Sequence, residues 1–241
     1  MISKNQIKLI KSLRLKKNRT QSGFFIAEGE KIVDELIDSA IETVNVFSIS
    51  KKYKNLKNNI SINATQLKQI SNLKSPNNVV GIFKIPKSQE INLDTNIVAL
   101  EDINDPGNLG TIIRLCDWFG IKNIICSVNS VDCYNPKVVQ SSMGSICRVS
   151  ISYMELDNLI SNNNYKIVAA DLNGKKLREY VFSKKQIIFF GSESNGFSQK
   201  VSSKIKDKIT IERFNDHVES LNLASSVAIV LSELNNQIIG K

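Results

Sequence analysis

The sequence has little of the chemistry on which many enzyme classes depend. Its 241 residues include one histidine, one tryptophan and four cysteines. Because His217 is the only histidine, a metal site that needs several histidines is excluded. The cysteines form no Cys-x-x-Cys pair, so we expect free structural thiols and no bound metal. They are Cys116, Cys126, Cys133 and Cys147.

Long apolar runs are missing as well. No run approaches the roughly 20 residues that span a bilayer. The first six residues, MISKNQ, lack the apolar core of a signal peptide. Hydrophobic residues make up 41% of the chain, as in an ordinary globular protein. We therefore expect a cytoplasmic protein with no membrane partner.

The common glycine-rich motifs of nucleotide-binding proteins and hydrolases are also absent. Residues 191–196, GSESNG, follow a buried-strand pattern, and their glycines would let the backbone approach a ligand closely. This loop is not a Walker A motif, because no Gly-Lys-Ser/Thr follows it. No Gly-x-Ser-x-Gly register or Gly-x-Gly-x-x-Gly pattern is present. A phosphate-binding role stays a weak alternative, since the loop contains no lysine.

Acidic residues are missing from the first 19 positions, which carry seven basic ones. Residues 1–90 hold 16 Lys and Arg against seven Asp and Glu, whereas residues 91–241 hold 16 of each sign. The whole formal charge of +9 therefore lies in the first part. This asymmetry favours a surface for a phosphate backbone over an ordinary solvated, lysine-rich face. The seven residues are Lys4, Lys8, Lys11, Arg14, Lys16, Lys17 and Arg19.

Two regions of alternating helix and strand patterns are separated by a short linker at 86–94. In the first region, 1–85, the patterns predict helices at 4–17, 30–39 and 65–71 and strands at 24–26, 44–49 and 79–83. In the second, 95–241, they predict strands at 97–100, 124–127, 167–170, 187–190 and 209–211 and a long apolar helix at 221–234. Strands that are apolar on both faces are typical of a parallel sheet covered by helices. The predicted fold class is α/β, with a small N-terminal α/β domain and a larger parallel-sheet domain.

The most informative stretch is DPGNLGTIIR, at residues 105–114. It follows the strand at 97–100, contains the residues of a tight turn, and leads into an apolar-periodic helix over 112–119. The free N–H groups of such a helix point at whatever lies above the sheet. Arg114 would lie near the first turn, where the helix macrodipole disfavours a cation. We therefore expect a buried or half-buried arginine that binds an anion.

A third polar stretch, ESLNLASSVA at residues 219–228, opens the last apolar helix. Ser220 is a candidate N-cap, which is a purely structural role. Asn222 lies in the first turn of this predicted helix, beside another set of free N–H groups, and is the better candidate for a ligand-facing side chain. The residues alone leave both interpretations open.

The order and spacing of three motifs resemble one family closely. The motifs N-L-G-x-x-x-R, G-S-E-x-x-G and E-S-L-N-x-A resemble those of the SpoU-type (TrmH-like) RNA 2′-O-ribose methyltransferases of the SPOUT superfamily. Upstream, FIAEG at 25–29 and SPNNVVG at 75–81 resemble the family's N-terminal RNA-substrate-binding domain. The resemblance covers nearly the full chain.

The resemblance implies a C-terminal SPOUT domain with a trefoil knot, a device that ordinary folds avoid. The knot would form the S-adenosylmethionine pocket, with Gly191, Ile211 and Leu221 as cofactor contacts. The implied catalytic residues are Arg114, Asn108, Glu193, Ser220 and Asn222. Family members are usually homodimers with the active site near the interface, and they need no metal. The separate N-terminal domain favours 23S ribosomal RNA as the substrate, with tRNA as the alternative.

The chemistry of ribose methylation agrees with these residues. A 2′-hydroxyl is a poor nucleophile until its proton leaves, so the enzyme must align the oxygen and help remove one proton. The family pattern places Arg114 beside the reacting ribose. An arginine is a poor base, and we interpret Arg114 as a clamp on the target phosphate. Proton removal by Arg114 itself, or through that phosphate, stays open.

This sequence departs from the family pattern at three places. Ser194 stands where glycine is frequent, Glu212 follows Ile211 where proline is common, and residues 215–218 replace a shorter turn. These departures would fit a non-catalytic RNA-binding protein, such as a ribosome-assembly factor. The five implied catalytic residues argue against that alternative, because binding alone would not need all of them. His217 is expected to be an exposed turn residue.

Overall fold

A computed structural model describes residues 2–87, 95–161, 165–215, 217 and 219–239. The chain divides into two compact units. The first unit comprises residues 1–87 and 132–147, and the second comprises residues 88–131 and 148–241. Most of the predicted linker, at 88–94, lies outside the described residues.

The first unit is a small α/β domain, as predicted. Its helices are α1 (Lys4–Ser12), α2 (Lys16–Ser22), α3 (Glu30–Ile37) and α4 (Ala64–Ile70). Its strands are β1 (Phe24–Glu28), β2 (Thr43–Ser48), β3 (Asn59–Ser61) and β4 (Val79–Lys84), in the sheet order β1-β4-β2-β3. β4 pairs antiparallel with β1 and β2, while β2 and β3 are parallel.

The core of this unit lies between its helices and its sheet. Ile10 of α1 and Ile70 of α4 pack with Ile26, Phe47 and other strand residues, and each of these side chains is at most 1% exposed. Burying a side chain of this size stabilises the fold by about 1.5–3 kcal/mol.

The single helix predicted over 4–17 is two helices in the structure. Helix α1 ends with Leu13 as its C-cap, and Leu15, the N-cap of α2, has an extended backbone. The Arg19 guanidinium donates to the carbonyl oxygens of Leu13 (2.9 Å) and Arg14 (3.0 Å). These bonds satisfy acceptors that the helix break leaves free, which the apolar spacing alone does not indicate.

Residues 132–147, which the sequence analysis places in the second domain, pack with the first unit. They contain α6 (Pro136–Ser142) and a 3₁₀ helix, Ser145–Cys147. Arg19 donates from Nε to Asp132 Oδ2 at 2.8 Å, and the rings of Phe25 and Tyr134 lie 4.7 Å apart. Because these contacts join residues that are far apart in sequence, the local spacing of apolar residues did not predict them. The predicted domain bounds stay a prediction.

The second unit is built on a six-stranded parallel sheet, which confirms the prediction of a parallel sheet. Its strands are β5 (Ile97–Leu100), β6 (Asn123–Cys126), β7 (Ser150–Tyr153), β8 (Lys166–Lys176), β9 (Gln186–Phe190) and β10 (Asp207–Thr210), in the order β10-β8-β9-β5-β6-β7. All five pairings are parallel. Its helices are α5 (Pro106–Trp118), α7 (Leu156–Ser161), α8 (Gln199–Ser202) and α9 (Leu223–Ile239).

Central strands β5, β6 and β9 are fully buried, as their unbroken apolar runs predict. One face of the sheet packs Ala99, Ile125 and Phe189 against α7 and α8 through Leu156 and Val201. Both β7 and β3 were missed by the sequence analysis. Each is short and contains polar residues that break the apolar pattern.

Within the described ranges, none of the helices is both long enough and apolar enough to cross a bilayer.

Candidate functional site

The three motifs meet at the carboxyl edge of the parallel sheet. β5 and β9 are neighbours, with Leu100 paired to Phe190, so their following loops leave the sheet side by side. The amino-terminal end of α9 carries the third motif to the same place. Ligands of open parallel sheets bind at this edge.

The stretch at residues 105–114, which contains the first motif, is helical from its second residue. Pro106 is the first residue of α5, and Asp105 is the N-cap, whose carboxylate accepts from the Asn108 backbone N–H at 2.8 Å. The helix therefore begins six residues before the predicted start at Ile112. Pro and Asp at these positions are as typical of a helix start as of a turn.

Arg114 is the ninth residue of α5 and its side chain is exposed. The predictions that it lies near the first turn and is buried or half-buried are therefore wrong. Among the described residues, Arg114 has no hydrogen-bond or ion-pair partner. Its guanidinium is thus available to an anion from solution, and its role as an anion ligand stays a prediction.

Three of the predicted catalytic residues form one hydrogen-bonded cluster, Asn108–Glu193–Asn222. Glu193 Oε1 accepts from Asn108 Nδ2 at 2.6 Å and from Asn222 Nδ2 at 3.1 Å. Asn222 Nδ2 is also 3.1 Å from Asn108 Oδ1. The cluster joins one residue from each motif, although they lie 85 and 29 positions apart in sequence.

Asn222 also starts α9. Its Oδ1 accepts from the Ser225 backbone N–H at 3.3 Å, and the Leu223 N–H donates to Glu193 Oε1 at 3.3 Å. Asn222, not Ser220, is therefore the N-cap. Ser220 is exposed, and its side chain makes no hydrogen bond within the described part of the chain. The structure thus brings Asn108, Glu193 and Asn222 together and leaves Ser220 outside this network.

Gly191 opens a tight loop for a steric reason. A Cβ at this position would lie 2.5 Å from the Gly196 carbonyl carbon, closer than real contacts allow. Ser192 and Gly196 exchange two backbone hydrogen bonds of 2.9 Å, and Gly196 has a positive φ of 62°. Ser194, which stands where glycine is frequent in the family, is exposed.

Two further predicted cofactor contacts lie on the segment between β10 and α9. Ile211 directly follows β10 and is half-buried, while Leu221 is 48% exposed. His217 is an exposed turn residue, as predicted. Asp216 and Val218 of the predicted turn lie outside the described residues.

A cleft opens beside the cluster, between the loops after β5 and β9. It is lined by Asp102, Ile103, Asn104, Asp105, Ser192, Glu193, Ser194 and Leu223. Its three carboxylates suit a cationic ligand, and Ile103 and Leu223 add an apolar wall. S-adenosylmethionine carries a sulfonium and an ammonium group on a partly apolar body, and the acidic and apolar side chains of the cleft are chemically compatible with those parts of the molecule. Gly191, Ile211 and Leu221 do not line this cleft, and their cofactor role stays a prediction.

Two acidic residues that follow β5 were not predicted as part of the site. Glu101 is 6% exposed and accepts from both the Ser198 hydroxyl (2.6 Å) and backbone N–H (3.0 Å). Asp102 has a positive φ of 50° and exchanges hydrogen bonds of 2.8 Å with Ser127. Their position at the carboxyl end of a buried strand could have indicated from the sequence that they lie near the site.

The chemistry of the nearby groups excludes a cysteine nucleophile on α5. Cys116 is fully buried, and burial raises the pKa of its thiol, so the reactive thiolate does not form near neutral pH. Within the described ranges, no group of three or more His, Cys, Asp or Glu side chains is arranged to hold a metal ion.

Comparisons with known proteins agree with this geometry. Residues 95–232 match the SpoU rRNA Methylase family, and residues 4–81 match the MRM3-like substrate binding domain. A curated relative from Bacillus subtilis, the 23S rRNA (guanosine(2553)-2'-O)-methyltransferase RlmP, is 24% identical over 96% of this chain and 97% of its own. A second curated relative, an uncharacterized tRNA/rRNA methyltransferase from Synechocystis, is 32% identical over 58% of this chain and 53% of its own.

Solved structures show the same fold. A putative RNA methyltransferase of the TrmH family from Porphyromonas gingivalis is 31% identical and superimposes with a TM-score of 0.88 over 97% of this chain and 98% of its own. An AdoMet-bound rRNA methyltransferase from Sinorhizobium meliloti is 26% identical, with a TM-score of 0.87 over 99% and 97% of the two chains.

These matches confirm the predicted fold class, and the trefoil knot is expected of that fold. The SpoU match alone covers more than half of the chain. The chain therefore belongs to the SpoU rRNA methylase family and is an S-adenosylmethionine-dependent RNA 2′-O-methyltransferase.

Proposed function

We propose that this enzyme methylates a ribose 2′-hydroxyl of 23S ribosomal RNA, and that the Asn108–Glu193–Asn222 cluster shapes the reaction site. The observation that carries the proposal is the cluster itself, which ties the three motifs together at one edge of the sheet. The name of the Bacillus subtilis relative and the match to a substrate-binding domain support ribosomal RNA as the target.

When bound, S-adenosylmethionine supplies a methyl group that its positive sulfur has already activated. The protein's task is to align the ribose oxygen and to assist the loss of its proton. Glu193 fixes the two asparagine amides, so the loops that surround the reacting atoms keep one relative geometry. Preorganisation of this kind avoids reorganisation during the reaction.

Arg114 is assigned the role of a clamp on the target phosphate. Its exposed guanidinium presents several N–H donors in one plane, and that plane matches two phosphate oxygens. An arginine stays protonated at neutral pH, so a hydrogen bond to phosphate is its natural contribution. The bound phosphate is then placed to receive the hydroxyl proton, directly or through water.

The lysines of the first unit are proposed to dock the RNA. Of the seven basic residues in the first 19 positions, all except Arg19 are exposed. Arg19 is 2% exposed and its charge is paired with Asp132, so it belongs to the core and not to the RNA surface. The docking surface therefore carries six of the seven predicted cations.

A homodimer is proposed as the working form. α5 and α9 pack against each other, and both expose apolar side chains on their outer faces. Trp118 is 82% exposed and lies one helical turn after Arg114, while Ile229 of α9 is 40% exposed. Covering these side chains with a second copy would bury apolar surface and place Arg114 near the interface.

The test uses purified protein, S-adenosylmethionine with a tritiated methyl group, and 23S RNA transcribed in vitro. We expect label in RNA, recovered after digestion as a 2′-O-methylnucleoside. Label on a base, or no label despite cofactor binding measured by calorimetry, would contradict the proposal. Label in transcribed tRNA and none in 23S RNA would show that the substrate is tRNA and not 23S RNA.

The non-catalytic alternative is tested by the same calorimetry. An RNA-binding assembly factor with a decayed site would show no heat of binding at millimolar S-adenosylmethionine. The intact three-residue cluster leads us to expect binding.

A further inference from the structure

Glu101 holds both ends of the loop that contains the second motif. Its backbone N–H donates to the Phe190 carbonyl oxygen at 2.9 Å, just before the loop begins. Its side chain accepts two hydrogen bonds from Ser198, the residue that closes the loop. One residue thus contacts the chain immediately before and immediately after residues 191–197.

The carboxylate of Glu101 is built into the fold. It is buried, and a buried carboxylate is costly unless it accepts good hydrogen bonds. Here Oε1 receives the Ser198 hydroxyl at 2.6 Å and Oε2 receives the Ser198 N–H at 3.0 Å. Both bonds are to a charged acceptor and are stronger than neutral ones. Ser198 is therefore fixed relative to the end of β5.

The backbone that carries Glu101 is itself held. The next residue, Asp102, adopts a left-handed conformation that is strained for a non-glycine residue. Ser127 donates to Asp102 Oδ1 and accepts from the Asp102 N–H, and the Ile103 N–H donates to Ser130 at 3.1 Å. The chain after β5 is thus tied to the loop after β6, which gives Glu101 a defined direction.

The position of the loop matters because it carries Glu193. The Ser192–Gly196 bridge closes the loop on itself, but the bridge does not fix the loop to the rest of the site. Glu193 must reach Asn108 at 2.6 Å and Asn222 at 3.1 Å. A shift of the loop by about 1 Å would break these bonds, and shifts of that size at a reaction site are costly in rate.

We propose that Glu101 is a positioning residue that clamps the 191–198 loop beside the Asn108–Glu193–Asn222 cluster. It touches neither substrate nor cofactor and acts through Ser198. The inference rests on the proposed assignment of this loop to the site of methyl transfer, and it adds a residue outside the three motifs.

The test compares Glu101→Ala, Glu101→Gln and Ser198→Ala with Glu179→Ala, the loss of an exposed glutamate from a 3₁₀ helix of the same unit. Two measurements are made on each full-length protein. Hydrogen exchange reports the opening of residues 191–198, and calorimetry together with steady-state kinetics reports S-adenosylmethionine affinity, KM and kcat.

We expect Glu101→Ala to speed exchange in the 191–198 loop and to weaken S-adenosylmethionine binding about tenfold, the equivalent of one charged hydrogen bond. KM for the cofactor should rise more than kcat falls. In Glu101→Gln, the amide can accept from the Ser198 N–H and donate to its hydroxyl, so most of the effect should be rescued. The loop exchange rate and cofactor affinity of Ser198→Ala should lie between those of Glu101→Ala and the wild type. Both quantities should be unchanged in Glu179→Ala.

A folded Glu101→Ala protein with wild-type loop exchange and cofactor affinity would overturn the proposal. If Glu101→Ala fails to fold, Ser198→Ala provides the test, because Ser198 is exposed and its replacement should be tolerated. Wild-type loop exchange in Ser198→Ala would equally overturn the proposal. Should the wild-type protein prove unable to methylate RNA, the proposed function fails, while the exchange measurement still tests the clamp.

Discussion

At the scale of single residues, the site depends on one carboxylate oxygen. Glu193 Oε1 accepts three N–H donors, two from asparagine side chains and one from the Leu223 backbone. Because Glu193 is exposed, we expect it to contribute by fixing the positions of its three donors and not by adding buried contacts to the core. Arg114 differs in kind, since its guanidinium is left free by the rest of the described chain.

We predict that Glu193→Ala lowers kcat by about a hundredfold, since the loops of the three motifs lose their common partner. The unfolding curve should stay close to that of the wild type, because the released amides are near water and can bond to it. Tritium transfer and urea denaturation measure the two effects. Glu155→Ala, an exposed glutamate outside the site, is the matched control. A variant with wild-type kcat would remove the cluster from the mechanism.

We predict that Arg114→Ala abolishes methyl transfer while S-adenosylmethionine binding stays within about twofold, because the proposed partner of Arg114 is the RNA phosphate. Arg114→Lys should recover little activity, as a single ammonium cannot match two phosphate oxygens in one plane. Kinetics and calorimetry separate the two steps, with Arg178→Ala, an exposed arginine, as the control. Retained activity in Arg114→Ala would exclude the clamp.

At the scale of elements, the break between α1 and α2 depends on a buried ion pair. Arg19 bonds two carbonyls at the break and the Asp132 carboxylate, whose side chain is 16% exposed. Its loss would leave an acidic group and two carbonyl oxygens without their main partner.

We predict that Arg19→Ala lowers the free energy of unfolding by about 3 kcal/mol, the usual cost of breaking a buried pair on one side. Urea denaturation measures this, and Lys17→Ala, which removes an exposed cation from the same helix, should cause little change. A loss below about 0.5 kcal/mol would show that the pair adds nothing to stability.

Elements with strong apolar patterns were predicted well, and tertiary contacts account for what was missed. β5 was predicted with its observed bounds because all four of its residues are apolar and buried. That Asn108 and Glu193 belong to one site was predicted from the resemblance of their motifs to those of one family, and the structure explains it by the two neighbouring strand ends. The start of α5, by contrast, was placed late because Pro106 and its neighbours also form turns. Whether Arg114 is exposed depends on packing that no local pattern records.

At the scale of the whole molecule, charge is divided unevenly. The formal charge of +9 lies in residues 1–90, whereas the rest of the chain is balanced. Neutralising a phosphate backbone releases counterions, so RNA binding through this region must weaken steeply with salt.

We predict that the double variant Lys8→Ala/Lys11→Ala binds RNA more weakly and lowers the slope of log affinity against log salt by up to about two. Filter binding between low and moderate salt measures the slope. The control is Lys175→Ala/Lys176→Ala, which removes two exposed lysines from the charge-balanced part. Equal slopes for the two double variants would contradict the assignment of the docking surface.

We predict that Trp118→Glu converts a dimer to a monomer, because a charge in an apolar interface cannot be paired there. Light scattering after size exclusion measures the mass. Ser232→Glu, at an exposed polar position on α9, tests whether the outer face of that helix takes part as well. A wild-type protein that is monomeric at micromolar concentration would refute the proposed assembly.

We propose above all that this chain adds a methyl group to a ribose oxygen of 23S ribosomal RNA. The most direct measurement is a map of ribose methylation in ribosomal and transfer RNA from cells with the gene, without it, and with the Arg114→Ala form. We expect a 2′-O-methyl site in 23S RNA that is lost both in cells without the gene and in cells with the Arg114→Ala form. Identical maps in all three, or a lost methyl group on a base, would contradict it.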